Sequence, residues 1–297
     1  MIILDKPRDS DIHTLADFSE LLCLVTQDRV CSRETISDQI KDVGESKVRE
    51  ADLNDCFSHL EWRSQAFGDY YPFTVDSSSK TFSALEELTD KQRLYTLLLL
   101  CANLPFLTNR ETITDAFERV AFIALKASWP IPANIKAFGK NETDYTGAKW
   151  ERINALASHI GGRGLCSEAT FRGRDTGDGG IDLVAWLGMD PFESRNIPSA
   201  LGQCACSRTD WVTKQTEISR DRLNNFIHPS HPWMQLIFIP HSFRNNHGAW
   251  AVDGEIAATI IFDRLRILNN FAEAIDWAYL SPPPLFETFL EHRLELV

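Results

Sequence analysis

The stretch Gly177-Asp-Gly-Gly-Ile-Asp182-Leu-Val-Ala185 decides the fold of the second half of the chain. Its glycines predict a turn, and the apolar and β-branched residues that follow predict a strand. Alternation along this strand places Ile181 and Leu183 on one face and Asp182 on the other. Burying a carboxylate on such a strand is costly unless the group binds a metal ion or accepts hydrogen bonds. The residues alone leave a structural aspartate, bonded to turn amides, as the other interpretation.

A second polar side chain lies on the next predicted strand, in Gly202-Gln-Cys-Ala-Cys206. Alternation places Gln203 and Ala205 on one face and the two cysteines on the other. An amide on an apolar strand also needs a polar partner. Gln203 is therefore interpreted either as a hydrogen-bonding core residue or as a ligand.

Predicted helices and strands surround these two segments in a regular order. Apolar spacing and turn residues predict an amphipathic helix at 148–160, strands at 164–171, 181–187 and 200–206, a long helix at 209–227, strands at 234–239 and 259–262, and mostly helical structure at 268–296. This order predicts an α/β (α+β) fold in which helices flank a mixed central sheet.

The first half of the chain has mainly helical patterns. Helices are predicted at 12–25, 35–48, 53–67, 85–101 and 113–129, with a polar loop at 76–80. Trp129-Pro-Ile-Pro132 ends the last helix, and residues 133–144 are interpreted as a linker. We predict a mostly helical domain at 1–140, with a regulatory or partner-binding role, and a second domain at 145–297.

Composition and charge limit the classes of function. Of the 297 residues, 43% are apolar and 24% charged, as in ordinary globular proteins. A net charge of −12 argues against a protein that coats nucleic acid by bulk attraction. The charge is uneven, because residues 1–144 contain 16 basic and 24 acidic residues, whereas residues 147–250 contain 11 and 10. A local basic groove in the second half is therefore permitted.

The cysteines and the apolar segments indicate the compartment. The seven cysteines are scattered without a CxxC pair, so we expect buried free thiols rather than a zinc site. The longest apolar run, 95–107, is too short to span a membrane, and the N-terminus lacks the pattern of a signal peptide. We expect a cytoplasmic protein.

Three features in this order are similar to a known family. They are Glu151 on the amphipathic helix, Gly-Asp-x-Gly-Ile-Asp at 177–182, and Gln-Cys at 203–204. Taken singly, Glu151 is better explained as a solvated helix residue. Together the three resemble the Mrr-like branch of the PD-(D/E)xK restriction-endonuclease superfamily. The resemblance covers residues 145–268 and implies a restriction-endonuclease-like core.

The resemblance implies roles for individual residues. Asp182 matches the metal-binding aspartate, and Gln203 matches the position that holds Glu, Asp or Gln in the third motif. Glu151 matches the helix glutamate that supports the metal site. The backbone carbonyl of Cys204 is then a further metal ligand. The implied cofactor is Mg²⁺ or Mn²⁺.

One position departs from the family pattern. The family's lysine belongs two residues after Gln203, where this chain has Ala205. That lysine orients the attacking water and offsets negative charge, so its loss would impair catalysis. Lys214, in the first turn of the next predicted helix, is the candidate replacement, and Arg208 is a weaker one. An ordinary exposed lysine is the alternative interpretation of Lys214.

The resemblance implies a metal-dependent endonuclease that hydrolyses DNA phosphodiester bonds, as do effectors of bacterial anti-phage or restriction systems. Arg172, Arg174 and Arg208 flank the predicted site and are candidates for DNA contacts. The alternative is a catalytically inactive nuclease-fold subunit that binds nucleic acid or scaffolds a partner complex, and RNA is an alternative substrate. Partner proteins for the N-terminal helices and a homodimer are both left open, and no membrane partner is expected.

Overall fold

The structure is a computed structural model that describes residues 4, 6–7, 10–41, 47–104, 110–139, 143–172, 177, 179–271 and 275–294. The chain forms two compact units. Unit 1 consists of Met1–Ala116, Pro240–Asp253 and Glu273–Val297, and unit 2 consists of Phe117–Ile239 and Gly254–Ala272. Within the described ranges, no helix is both long and apolar enough to cross a membrane.

The helices in chain order are α1 Ile12–Val25, α2 Arg33–Lys41, α3 Glu50–Phe67, α4 Asp90–Cys101, α5 Arg110–Ser128, α6 Lys149–His159, α7 Trp211–Lys214, α8 Arg220–Leu223, α9 Arg264–Asn269, α10 Trp277–Leu280 and α11 Pro284–Glu291. The strands are β1 Val30–Ser32, β2 Phe73–Asp76, β3 Thr81–Ala84, β4 Asn134–Ala137, β5 Arg163–Gly164, β6 Leu183–Trp186, β7 Ser199–Cys204, β8 Ile227–His228, β9 Met234–Phe238 and β10 Ile260–Phe262.

Most of the predicted helices of the first half are confirmed. Helix α1 has the predicted bounds, and α3, α4 and α5 differ from their predictions only near the ends. The predicted helix at 35–48 is confirmed as far as Lys41, and residues 42–46 lie outside the described part. Long segments with one apolar face are the most readable in a sequence.

Unit 1 also contains a sheet that the sequence analysis did not predict. Strands β1, β3 and β2 form a three-stranded antiparallel sheet in that order. The predicted polar loop is the turn of its β2–β3 hairpin, in which Asp76 Oδ1 accepts from the amides of Ser78 and Ser79 at 2.9 and 3.3 Å. Strands of three and four residues give too little alternation to be recognised. The helical description of the N-terminal region is therefore incomplete.

A fully buried ionic cluster lies inside unit 1. Arg63 Nη1 lies 2.8 Å from Asp17 Oδ1 and 3.0 Å from Glu20 Oε1, and all three side chains are buried. The hydroxyls of Tyr71 and Tyr95 donate to Glu20 at 2.9 Å. Burial opposes the charge on Arg63, but the charges of Glu20 and Asp17 outweigh it and raise its pKa well above the usual value. Each charge therefore depends on the others.

We expect unit 1 to lose stability in mild acid through His59. Its ring lies against Trp62, and Nδ1 lies 2.7 Å from Asn246 Oδ1. Burial, together with the positive charge of Arg63, lowers its pKa from 6.5 to about 3. The unfolded chain therefore binds a proton below about pH 6.5, and the folded chain does not until about pH 3. Between these values the unfolding free energy should fall by about 1.4 kcal/mol per pH unit from this group.

Urea unfolding at pH 7 and pH 5 would measure this effect. The variant His59→Gln should show a smaller loss between the two pH values than the wild type. His231→Gln, which changes an exposed histidine, is the matched control and should retain the wild-type dependence. An identical pH dependence in wild type and His59→Gln would contradict the prediction.

Unit 2 is built on a five-stranded mixed sheet in the order β10-β9-β7-β6-β4. The strands β4, β6 and β7 pair antiparallel, whereas β7, β9 and β10 are parallel. On one face, Ile153 and Leu156 of α6 share a buried cluster with Val184 and Leu201 of the sheet. Leu125 of α5 lines a groove with sheet residues that include β9 and β10 side chains. The predicted mixed sheet flanked by helices is confirmed.

Three predictions for this region were wrong in detail. The predicted linker at 133–144 contains β4, an edge strand that bonds to the sheet on one side only. The predicted strand at 164–171 reduces to β5, which pairs with β8 in a separate two-stranded sheet. The predicted long helix at 209–227 is replaced by the short helices α7 and α8.

Hydroxyl side chains explain why the long helix breaks. Thr213 Oγ1 donates to the carbonyl of Asp210 at 2.9 Å, and Thr216 Oγ1 donates to that of Thr213 at 2.7 Å. The amide of Ser219 bonds to the carbonyl of Thr216, a three-residue spacing. Such local bonds compete with α-helical hydrogen bonds. Ser219 then caps α8, so the apolar spacing continues through two short helices.

Candidate active site

The candidate active site lies where β7 ends. In the antiparallel register, Leu183 of β6 lies opposite Gly202 of β7. Asp182, just before β6, is held by its main chain: its amide donates to Gly202 O at 2.9 Å, and its carbonyl accepts from the amides of Phe138 and Gly139. These bonds hold Asp182 beside the last residues of β7.

Asp182 and Gln203 both bind the main chain of Cys204. Asp182 Oδ2 accepts from Cys204 N at 2.6 Å, and Gln203 Nε2 donates to Cys204 O at 3.3 Å. Both side chains are buried, with 6% and 4% exposed. The hydrogen bond from Cys204 N also supports the alternative interpretation of Asp182 as a structural residue. The donor amide, however, belongs to strand β7 and not to the glycine-rich turn. The two motifs thus come together at one residue.

The side-chain amide of Gln203 is incompletely hydrogen-bonded. Gln203 Oε1 is buried and has no hydrogen-bond partner among the described residues. Leaving a buried acceptor unbonded costs about 1–3 kcal/mol. Since the amide nitrogen of Gln203 is already bonded to Cys204 O, the free oxygen can accept from water or bind a cation. This is the behaviour expected of a ligand more than of a satisfied core residue.

Burial and the charges of nearby groups act on the thiol of Cys204. Burial, then the negative charges of Asp182 and Glu118, raise the pKa of this thiol well above its usual value, and Cys206 adds to the effect while Lys214 opposes it. The thiol is therefore protonated at neutral pH and is a poor nucleophile.

Lys214, the candidate replacement for the family's lysine, is the last residue of α7, and its role in the site stays a prediction. The helix is fixed by Gln215, whose side chain donates to Glu255 O at 2.8 Å and accepts from Ala257 N at 2.9 Å. Trp211 at its start is buried. These anchors hold the half-buried Lys214 within electrostatic range of Cys204.

Glu118 of α5, which the sequence analysis did not consider, adds negative charge near Cys204. Its charge acts on Cys204, and it lies seven residues before Leu125, which contributes to a groove with Leu236 of β9. Residues seven apart share one face of a helix, about 10 Å from each other along its axis. Helical spacing could have identified this face, but the segment had been assigned to the first domain.

Glu151 serves its own helix. Its Oε2 accepts from Ala148 N at 2.7 Å, which satisfies an amide at the start of α6. Its carboxylate also fills the space that a side chain at Gly147 would need, since an added Cβ would lie 2.5 Å from Oε2. The side chain is exposed. A role for Glu151 in the site stays a prediction.

The three arginines proposed for DNA contact are placed differently. Arg172 is exposed, Arg208 is half-buried, and Arg174 lies outside the described residues. Arg208 follows β7 by four residues, so its main chain is close to the end of the strand that carries Gln203. Their contacts with DNA stay a prediction.

The ligands present suit a hard cation bound mainly through oxygen. Within the described part of the chain, no group of three or more His, Cys, Asp or Glu side chains is arranged to hold a metal ion. The oxygen donors that meet at Cys204 are instead mixed: the carboxylate of Asp182, the free Oε1 of Gln203 and the carbonyl of Cys204, with Glu118 adding negative charge. Mg²⁺ commonly binds one or two protein carboxylates and retains several waters. The donor set fits such an ion.

Comparison with protein-family models, with curated proteins and with solved structures gave no significant match.

Proposed function

We propose that unit 2 is a metal-dependent nuclease domain of the restriction-endonuclease type, acting on DNA. The observation that carries this proposal is the convergence of Asp182 and Gln203 on the main chain of Cys204, with Lys214 within electrostatic range. Two antiparallel strands with these residues, followed by a helical segment and a parallel strand, support the same class. A role as an effector of anti-phage or restriction defence rests on the sequence resemblance alone.

The oxygen donors around Cys204 would hold Mg²⁺ or Mn²⁺. Asp182 and Glu118 supply charge, and Gln203 Oε1 and the Cys204 carbonyl supply neutral oxygens. A bound divalent cation would supply Lewis acidity and lower the pKa of a bound water. The buried Asp182 and Gln203 side chains keep these donors in fixed positions, since each is bonded to Cys204.

Lys214 would take the part of the lysine that Ala205 replaces. Ala205 is buried, with 1% exposed, and its amide is bonded to Phe238 O at 2.9 Å. It therefore offers no charge to a substrate. The positive charge of Lys214, on α7, acts on the thiol of the same residue, Cys204. A fixed positive charge at this point would stabilise the negative charge that develops on phosphate during hydrolysis.

The charge of the two units favours unit 2 as the part that meets DNA. Unit 2 contains 16 basic and 15 acidic residues, whereas unit 1 contains 14 and 27. A phosphate backbone is repelled by a strongly acidic surface and tolerated by a balanced one. Binding of DNA by unit 2 is thus compatible with the net charge of −12.

A cleavage assay tests the proposal. The full chain is incubated with supercoiled plasmid and Mg²⁺ or Mn²⁺, and nicked and linear products are measured, with chelator added to a parallel sample. Glu118→Gln and Glu151→Gln are assayed side by side to decide which glutamate the reaction needs. Cleavage that persists in excess chelator, or no cleavage with either metal on DNA or RNA, would reject the proposal.

An inactive nucleic-acid-binding subunit is the second candidate, and Ala205 is the observation that favours it. This function requires DNA binding that weakens with rising salt and does not depend on Asp182. Gel-shift titrations at two salt concentrations would measure it. Binding without cleavage, unchanged in Asp182→Asn, would select this candidate over the nuclease.

We expect Lys214→Met to reduce DNA cleavage by about 100- to 1,000-fold, the usual cost of removing one transition-state donor. The double variant Lys214→Met/Ala205→Lys should recover part of the loss, because it returns a lysine to the position that the family pattern uses. Lys126→Met removes an exposed lysine of α5 and is the matched control. Cleavage by Lys214→Met at the wild-type rate would show that Lys214 has no part in the reaction.

A further inference from the structure

Exposed apolar side chains concentrate at one end of the sheet of unit 2. In the described ranges, eight large hydrophobic side chains are exposed, and five belong to this end. The five are Ile131 (93% exposed), Met189 (63%), Phe192 (96%), Met234 (41%) and Ile260 (44%). Single exposed hydrophobic residues are normal, but a group at one place indicates an interaction surface.

The sheet topology places these five residues together. The strands β7, β9 and β10 are parallel and begin at this end, and Met234 and Ile260 are the first residues of β9 and β10. Strand β6 is antiparallel to β7 and ends here, and the loop that follows carries Met189 and Phe192. Strand β4 begins here, shortly after Ile131. We call this surface the apolar end, and it is opposite to the candidate active site.

A groove opens at the apolar end. It has a volume of about 330 Å³ and is lined by α5 and the first residues of the parallel strands, including Leu125, Trp129, Pro198, Met234, Leu236 and Phe262. The hydroxyl of Ser128, also in its lining, is already bonded to Leu125 O at 3.1 Å. Pockets of about this volume accept small apolar groups. The groove therefore has room for an aromatic side chain.

The loop after β6 presents Phe192 to solvent. Asp190 Oδ1 accepts from the amides of Phe192 and Glu193 at 2.8 and 2.9 Å. Glu193 is bonded to Arg195, with the shortest contact 2.7 Å. The loop is also fixed at Asn196, whose amide donates to Ser230 Oγ at 2.8 Å. The turn is thus held by its own hydrogen bonds, and the exposed Phe192 side chain is not needed to hold it.

We propose that the apolar end is a dimer interface at which Phe192 of each copy enters the groove of the other. A two-fold symmetric interface needs one patch that is complementary to itself, with a protruding group and a cavity on the same surface. The apolar end has both. A partner of another kind would need only the protruding group or only the cavity. The occupant of the groove is therefore a second copy of this chain.

The charges support a second copy at this place. Two chains of net charge −12 repel each other, and unit 1 carries all of the excess acid. An interface made by unit 2, with 16 basic and 15 acidic residues, avoids that repulsion. The presenting loop itself has both signs, from Asp190, Glu193 and Arg195. Two-fold pairing can bring opposite charges of the two loops together.

The test is the mass of the full chain in solution, measured by sedimentation equilibrium between about 1 and about 100 μM, a range that detects micromolar dimers. We expect a species of twice the 33.7-kDa chain mass. Phe192→Asp and, separately, Met234→Asp should each weaken dimerisation by at least about 100-fold, as for a central interface residue. Leu165→Asp, at a residue 42% exposed elsewhere in unit 2, is the matched control and should dimerise normally.

Mixing the two variants tests the reciprocal geometry. A Phe192→Asp copy keeps its groove, and a Met234→Asp copy keeps its phenylalanine, so a mixed pair retains one of the two contacts. Each variant alone retains neither. We expect the mixture to dimerise more tightly than either variant by itself, with thermal unfolding used to show that both remain folded.

Three results would overturn the proposal. They are a wild-type chain that is monomeric at 100 μM, a dimer that survives both substitutions, and a mixture no tighter than its components. A monomer that binds another protein or a lipid through the apolar end also counts against it, since the proposed occupant is a second copy.

Discussion

Replacing Asp182 with asparagine should reduce metal-dependent DNA cleavage by at least about 100-fold. Loss of a group that merely supports a metal ligand costs about 10- to 100-fold, so loss of a ligand itself should cost at least the upper value. Asparagine keeps an oxygen that can accept from Cys204 N, the bond that Asp182 Oδ2 makes at 2.6 Å. The substitution therefore removes the charge and retains the shape, and folding should be preserved.

Two measurements make the Asp182 result specific. Calorimetric titration with Mn²⁺ should show weaker binding to Asp182→Asn than to the wild type, in the absence of DNA. Asp221→Asn, at an exposed residue of α8, should cleave and bind like the wild type. If Asp182→Asn unfolds at the wild-type temperature and still cleaves normally, Asp182 is the structural aspartate that the sequence left open.

The second large effect is expected on stability, at the ionic cluster of unit 1. Arg63→Met should lower the unfolding free energy by about 3–5 kcal/mol, because Asp17 and Glu20 stay buried without their guanidinium partner. The distances of 2.8 and 3.0 Å and the complete burial of all three side chains make this cluster a buried ion-pair network, for which the loss of one partner has a cost of that size. Urea denaturation at pH 7 measures the change.

Companion variants separate charge from packing at Arg63. In Arg63→Met/Glu20→Gln one of the unpaired carboxylates is also removed, so the double variant should be more stable than the sum of the single changes predicts. Arg49→Met breaks a pair with Asp52 in which the arginine side chain is 76% exposed and should change stability little. A loss at Arg63 no larger than that at Arg49 would contradict the assigned role of the cluster.

The parts of the fold that sequence predicts well are those whose structure is local. Helices α1, α3 and α6 each have an apolar face long enough to recognise, and β7 and β9 are dense apolar runs. Strand β4 is different. It has four residues and gains its conformation from pairing with β6, a contact distant in sequence. The apolar spacing at 209–227 predicts helical structure, but it cannot show that threonine hydroxyls divide the helix.

The candidate site divides in the same way. The convergence of Asp182 and Gln203 on Cys204 follows from the order of β6 and β7, which the sequence pattern indicates. The catalytic roles of these two residues and of Lys214 stay predictions. Glu118 and Glu151 show what a sequence pattern cannot distinguish. Both are helix glutamates near apolar residues, and only the packing of α5 and α6 on the sheet distinguishes a charge that acts on Cys204 from one that caps its own helix.

The path of the β9–β10 connection determines when the sheet of unit 2 can be completed during synthesis. After Ile239 the polypeptide contributes Pro240–Asp253 to unit 1 and then returns to supply β10 to the sheet of unit 2. Neither unit is a continuous piece of polypeptide, so a ribosome completes the sheet only at Phe262. Domains usually fold as units during synthesis. The activity proposed for unit 2 would therefore be absent on the ribosome until most of unit 1 has also emerged.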